Sequence, residues 1–331
     1  MKPWAKRLLI GLGAVIVAAS AFGAWTFGHP APPAPAEYLA STVPAPGALR
    51  VRFFGTTTLL FDDGANAVMV DSQLTRPGLR QVLFGTIASR PETVASLLAR
   101  TGNRHVDLLL VSHSHYDHAL DLPEVARRTG ATVIGSSSTR EIARGGGLAE
   151  AGIRVVKGGE RFDAGAFHVA VFRSRHSPDD RIPGTIAGPL RQPAKTMAFR
   201  EGGTFAFLVT HRGTRMLVHA SANHAPGMYR GVRADVVFLA VGGLGAQPPA
   251  FVERYWNAVV RDTGARLVVP IHWDDFLRPL DRPQVPLRRF MDDFPAAIGK
   301  IAPLAARDRV AIRYMPVLAP VDPVAATKES R

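Results

Sequence analysis

VSHSHYDHALD, Val111 to Asp121, sets three histidines and an aspartate within six consecutive positions: His113, His115, Asp117 and His118. The run leading into it, VDLLLVS from Val106, reads as a buried strand, so His113 opens the loop at that strand's carboxyl end, where sites are commonly built. Asp121 and Gly130 bracket the short helix expected next, Leu122 to Thr129. Imidazole is the commonest metal ligand near neutral pH. Alternating His113 and His115 can aim two nitrogens at one ion while Asp117 and His118 turn to another. With eleven histidines in 331 residues, this order arises by chance in about one chain in a thousand or fewer. A loop of solvated histidines is the plain alternative, and the bounding strand and helix speak against it.

Strands are expected at LRVRFFGTTTLLFDD and NAVMVD, then at VDLLLVS, ATVIGSS, FHVAVFRS, TFAFLVTH, TRMLVHA, DVVFLAV and RLVVPIH. Helices are expected from Glu92 to Thr101 behind Pro91, from Leu122 to Thr129, from Phe251 to Thr263, and from Arg288 to Leu304. In the third, Phe251, Tyr255, Ala258 and Val259 share one face while Glu253, Arg254 and Asn257 share the other, and Gly264 ends it. Early hairpins followed by βα alternation predict a mixed sheet system with helices outside, an α/β layered sandwich. Four donors do not complete two metal sites, and two more histidines close predicted strands: His176 ends FHVAVFRSRH and His272 ends RLVVPIH. Either alone reads as an ordinary half-buried histidine; their shared placement makes both candidates.

These residues resemble the metallo-β-lactamase superfamily. Its HxHxDH motif is matched by His113, His115, Asp117 and His118, its later lone histidine by His176, and its last strand-end histidine by His272 in PIHWDD. The opening FFGTTTLLFDDGANAVMVDS resembles the family's first strands, which end on an aspartate, here Asp71. The resemblance implies a four-layer αββα sandwich with the site on the edge between two sheets. It implies one metal held by His113, His115 and His176 and a second by Asp117, His118 and His272. Many members also carry a bridging aspartate in a Gly-Asp pair, but the matching stretch here is RMLVHASANH, with Ala220 and Ser221 in those positions. Loss of a shared carboxylate weakens the second site, so one ion is the alternative to the two favoured. His219, Asn223 and His224 are candidates to replace it, against the simpler reading of a polar turn.

The resemblance implies hydrolysis by a metal-activated hydroxide. Zinc on three histidines lowers the pKa of its water to about 7, and Asp117 would orient that water and shuttle its proton. Zn2+ suits the nitrogen-rich set, while Mn2+ or Fe2+ also fit an aspartate-bearing site. The expected substrate is a lactone, ester or related small molecule. The stretch SPDDRIPGTIAGPLRQPAKTMAFREGG after His176 carries Arg181, Arg191, Lys195 and Arg200, as a cover over an anionic ligand would. Asp274 or Asp275 is a candidate to orient His272. The layout looks closer to the lactonase-like and phospholipase-like branches than to the secreted β-lactamases. Rival readings are a phosphodiesterase or phospholipase-D-like hydrolase of the same fold, and a metal-binding or sensory protein without turnover. A two-iron redox centre normally needs the bridging carboxylate, and Ser221 argues against it.

Outside this region the chain divides simply. Residues 1–27 place Lys2, Lys6 and Arg7 before about twenty uncharged residues, long enough to span a bilayer. Ala19-Ser20-Ala21 has the form of a signal-peptidase site, yet the apolar run continues to Phe27, which favours a retained anchor. The expectation is an exported protein, anchored in the inner membrane and facing the periplasm, or periplasmic if cleaved. Residues 28–47 read as a Pro/Ala-rich tether, 48–319 as one hydrolase domain and 320–331 as a tail. The 47% apolar content suffices for a core, and the excess of 40 basic over 27 acidic residues gives +13. That charge is mostly arginine scattered singly, so membrane surfaces and anionic small molecules are expected partners and nucleic acid is not. The absence of cysteine excludes disulfides, thiolate ligands and cysteine nucleophiles. Nothing in the sequence signals an oligomeric state.

Overall fold

The computed structural model describes residues 2–40, 47–102 and 104–323. It opens with helix α1 (Pro3–Phe27), then builds two sheets. The first has strands β1 (Arg50–Phe53), β2 (Leu59–Asp62), β3 (Ala67–Val70), β4 (Leu108–Leu110), β5 (Thr132–Gly135) and β6 (Ile153–Val155) side by side in sequence order. The first three are antiparallel and the last three join in parallel. The second runs from β7 (Arg161–Ala164) through β8 (Phe167–Arg173), β9 (Phe205–His211), β10 (Thr214–His219), β11 (Val236–Ala240) and β12 (Leu267–Ile271) to β13 (Ala311–Ile312). It repeats the pattern, antiparallel through β10 and parallel after it.

Period-two alternation separates the two cores. Val51, Phe53, Phe61, Val68, Val70 and Leu110 face the second sheet, and Phe61 meets Phe238 edge to face with ring centroids 5.6 Å apart. Their neighbours Leu60, Met69, Leu109 and Val133 face outward into a separate cluster. That cluster is covered by Val94 and Leu98 of α3 (Pro91–Thr101), Val125 of α5 (Leu122–Thr129) and Ile142 of α6 (Ser137–Gly145). The small helices α2 (Leu79–Phe84) and α4 (Tyr116–Ala119) precede α3 and α5 respectively. On the far side, α7 (Pro249–Trp256) and α8 (Phe294–Asp308) pack on the second sheet through Val252, Trp256, Ala297 and Ile301. The result is the expected αββα sandwich behind an apolar N-terminal helix.

All nine predicted strand segments form strands. The three that were not foreseen, β6, β7 and β13, are sheet edges. They are short and partly exposed, so they lack the apolar run that marks a covered strand. Helix α6 was also missed: its start is a box of Ser136 and Thr139, each hydroxyl accepting the other's backbone N–H at 3.1 Å, and Ile142 and Ala143 are its only buried aliphatic residues. The helix expected from Arg288 begins instead at Phe294. Asp293 caps it by accepting from the Ala296 N–H, Pro295 occupies the first turn, where no N–H is needed, and the helix continues to Asp308. The helix from Phe251 passes into a π turn at Asn257–Arg261, which rotates its inner face to Val252, Tyr255, Trp256, Val259 and Val260.

Helix α1 is long and apolar enough to cross a membrane, with none of its apolar window buried against the protein. Its end does not hang free. Phe290 N–H donates to Thr26 O at 3.2 Å, the Phe27 and Phe290 rings lie 5.3 Å apart, and the Arg289 guanidinium sits 5.3 Å from the Trp25 ring centroid. Within the stretch read as a tether, Leu39 N–H donates to Tyr314 O at 2.8 Å, and residues 41–46 lie outside the described residues. At the other end Val321 is buried and bridged to Val51, and the rest of the expected tail, from 324, lies outside them.

Candidate metal centre

Each of the six candidate side chains sits just past the carboxyl end of a strand. Val111 and Ser112 lead from β4 to His113, and His115 is the residue ahead of α4, which carries Asp117 and His118. His176 follows β8 by three residues and His272 follows β12 directly. The first sheet thus supplies four of them and the second sheet two. They form two clusters, His113 with His115 and His176, and Asp117 with His118 and His272, the ligand atoms in each lying within 4.8 Å of one another. The clusters adjoin, since the His113 and His118 ring centroids are 3.8 Å apart.

Hydrogen bonds fix which nitrogen of several rings carries a proton. His118 Nδ1–H donates to Asp71 Oδ2 at 2.8 Å, His115 Nε2–H to Ile182 O at 3.2 Å, and His176 Nδ1–H to Ser177 O at 3.0 Å. Each bond leaves the opposite nitrogen as a lone pair. His113 Nε2 is buried with no hydrogen-bond partner among the described residues. An orphaned buried donor or acceptor costs about 1–3 kcal/mol, and a coordinated cation removes that cost. The set therefore fits a metal bound by nitrogen and carboxylate oxygen.

Its electrostatics agree. Burial, and then the charges of His118, His176, His115 and His272, push the His113 imidazole well below its usual range. Burial and His115 push His176 down to about 4. Both rings are therefore neutral at pH 7 and able to donate lone pairs. Burial acts to raise the Asp117 carboxyl, but His118, the bond from His272 and the charges of His272 and His115 outweigh it, so Asp117 is held well below the usual carboxylate range. Burial acts to lower His272, and the bond and charge of Asp117, 3.3 Å away, outweigh it and raise the ring.

Other residues hold these candidate ligands in place, among them Asp71, which the sequence offered only as the aspartate closing the opening strands. Asp71 is fully buried in the left-handed region at φ 54° and accepts from Ser112 N (2.7 Å), Ser112 Oγ (2.8 Å), Thr57 Oγ1 (2.5 Å) and His118. Gly242 packs under His272, where a Cβ would lie 2.7 Å from Nδ1. The roles expected of Asp274 and Asp275 are different from those found. Asp274 accepts from Thr56 N (2.6 Å) and Arg76 (3.1 Å), and Thr56 O in turn accepts the His272 backbone N–H, so Asp274 steadies the ligand's backbone and not its ring. Asp275 accepts from Leu277 N at 3.0 Å.

The candidates for replacing the missing carboxylate are also otherwise engaged. His219 accepts from Tyr229 OH at Nδ1 and donates from Nε2 to Asn223 O, both at 2.7 Å, so neither nitrogen is free. Asn223 donates to His176 O at 2.6 Å, and Ser221 Oγ accepts from Ser177 N at 2.8 Å. The turn braces the His176 loop. His224 joins neither cluster.

A family model described as the metallo-beta-lactamase superfamily matches residues 51–254. A curated metal-dependent hydrolase of Heliobacterium modesticaldum is 24% identical over 231 residues, covering 69% of this chain and 84% of that protein. Among solved structures, a metallo hydrolase of Ignicoccus hospitalis aligns with a TM-score of 0.51 at 15% identity, over 82% of this chain and 97% of that one. A diiron β-hydroxylase of Streptomyces venezuelae aligns with a TM-score of 0.53 at 17% identity, over 83% of this chain and 54% of that one. Such identities speak for the fold alone. The family match covers more than half of the sequence and includes five of the six clustered side chains, all but His272, and the chain belongs to the metallo-β-lactamase superfamily.

Proposed function

We propose that this chain is a metal-dependent hydrolase with His113, His115 and His176 on one ion and Asp117, His118 and His272 on a second, zinc being the ion that this donor set suits best. The observation that carries the reading is the pairing of two three-donor clusters beside a buried His113 Nε2 that has no hydrogen-bond partner among the described residues. A bound divalent ion lowers the pKa of its water toward 7 and polarises a carbonyl or phosphoryl oxygen. The chain's own residues supply geometry and charge. Asp71 holds His118 in the tautomer that frees Nε2. Asp117, kept ionised by its histidine neighbours, accepts a hydrogen bond and orients the attacking water. A carboxyl held so low is a poor proton carrier, so orientation is the role assigned to it.

The proposed substrate is a lactone, ester or related small molecule carrying negative charge. Arg181, Arg191, Lys195 and Arg200 lie on the stretch after His176, and none pairs with an acidic side chain among the described residues, which leaves them available to an anion. The same feature supports a phosphodiester as the second reading. We also assign α1 as a retained anchor that holds the domain at the periplasmic face of the inner membrane.

The test is a hydrolysis screen of the zinc-loaded full chain against lactones, carboxylic esters and a bis-aryl phosphodiester, with and without chelator. Chelator-sensitive turnover led by lactones or esters supports the first reading, and turnover led by the phosphodiester supports the second. Stoichiometric metal with no turnover of any of them overturns both in favour of a binding or sensory protein.

A further inference from the structure

We infer that Asp180, on the loop after β8, is a positioning carboxylate for the His113, His115 and His176 triad, supplying from outside the charge that the serine at position 221 no longer brings. The inference rests on the proposed reading of that triad as one metal site. Its three imidazoles carry no negative charge, and Asp117 belongs to the other cluster. Ser221 spends its hydroxyl on the Ser177 backbone. Asp180 lies behind two of the three rings at once. Its Oδ1 is 3.5 Å from His115 Nε2 and its Oδ2 is 3.9 Å from His176 Nδ1. Those are the nitrogens that carry protons, because they donate to Ile182 O and Ser177 O. A carboxylate facing the N–H side of a ligating imidazole fixes the ring's orientation and strengthens the opposite lone pair as a donor. Asp71 does this for His118, and Asp180 does it for the neighbouring triad.

The local backbone is built to hold the carboxylate there. Asp179 adopts the left-handed region at φ 62°, a conformation that aspartate tolerates better than most residues, and this turns the chain back on itself. Asp180 Oδ1 accepts from Ile182 N at 2.8 Å, which locks the side chain across the turn. Ile182 O also accepts from Glu201 N at 3.0 Å, and Glu201 O accepts from Ser114 N at 2.9 Å. The turn bearing Asp180 is thereby pinned to the peptide between His113 and His115. The side chain is only 17% exposed, so water does not fully screen its charge.

The test uses the full chain loaded with cobalt(II), whose visible spectrum reports ligand geometry and here carries no thiolate contribution, since the sequence has no cysteine. Asp180→Asn is expected to weaken cobalt retention about 10–100-fold in competition with a chelator and to shift the visible bands, with Asp180→Glu restoring most of both. The metal-free melting temperature should stay unchanged in both variants. Unaltered affinity and spectrum in Asp180→Asn overturns the inference, as does an equal fall in metal-free stability in both variants, which would mark a loop-folding role only. If the unsubstituted chain itself fails to bind cobalt, the metal-site reading fails first, and that result is distinct from either of the others.

Discussion

Replacing Asp71 with asparagine changes one atom in the structure and nothing in volume. Asp71 Oδ2 receives three donors, Thr57 Oγ1, Ser112 Oγ and His118 Nδ1–H, while Oδ1 receives the Ser112 N–H. Two of these are hydroxyls, which can rotate and accept from an amide instead. The Ser112 N–H and the imidazole cannot. If the amide nitrogen faces Ser112, two N–H groups meet in a fully buried site, at a cost of about 1–3 kcal/mol. If it faces His118, the ring must move its proton to Nε2, the atom required for coordination. Either arrangement costs the metal-bound state about 2 kcal/mol, which at 1.4 kcal/mol per decade is roughly a 30-fold loss of affinity at the Asp117, His118 and His272 cluster. This falls inside the tenfold to hundredfold range usual for groups that orient metal ligands. Zinc titration in competition with a chromophoric chelator measures it directly. Asp71→Asn retaining both zinc ions within about threefold of the unsubstituted affinity would refute the tautomer argument.

Gly242→Ala places a methyl 2.7 Å from His272 Nδ1 and 3.1 Å from the His272 carbonyl, so it should empty the second cluster while leaving the first loaded. Metal content falling from two ions toward one is the expected reading, and retention of both contradicts it. Acid sensitivity is expected in the metal-free protein. His219 is fully buried, and burial, offset in part by its bond to Asn223 O, lowers it to about 4. Above the unfolded value of about 6.5 both states are neutral. Between 6.5 and 4 only the unfolded chain takes the proton, so stability falls as pH drops through that window, by roughly 3 kcal/mol. Urea unfolding from pH 8 to pH 4 measures the slope, and His219→Gln should flatten it; an identical slope would clear His219 of the effect. The full chain should resist alkaline extraction from membranes and keep an intact mature N-terminus by mass spectrometry, whereas a mature protein beginning after Ala21 would show cleavage.

The six clustered side chains were legible as candidates because metal coordination imposes residue type: only a few side chains can ligate, and strand-end placement marks where they gather. Asp71, Gly242 and Asp180 act through others: Asp71 was visible as a strand-end aspartate but not as a partner of His118, and nothing in the local sequence distinguishes Gly242 from a loop glycine or Asp180 from a surface acid. Their roles need the long-range contacts of β3 with β4, of β11 with β12, and of the His176 loop with the peptide at Ser114. The fold was read by the same logic. Strands covered on both faces, such as β11 with all five residues buried, announce themselves as apolar runs, while β13, half-exposed at a sheet edge, does not. His219 drew attention by its type and position, yet its two hydrogen bonds make it a structural ring. Asp274 stood close to a ligand in sequence and proved to hold that ligand's backbone.

The two-metal reading requires six dispersed side chains to converge on two adjacent ions. Crystals of the zinc-loaded chain, measured with X-rays on either side of the zinc absorption edge, test it most directly. Two anomalous peaks are expected, one about 2.0–2.2 Å from nitrogens of His113, His115 and His176, the other at that range from Asp117, His118 and His272. Zinc bound elsewhere, or either cluster found without an ion at saturating zinc, would contradict it.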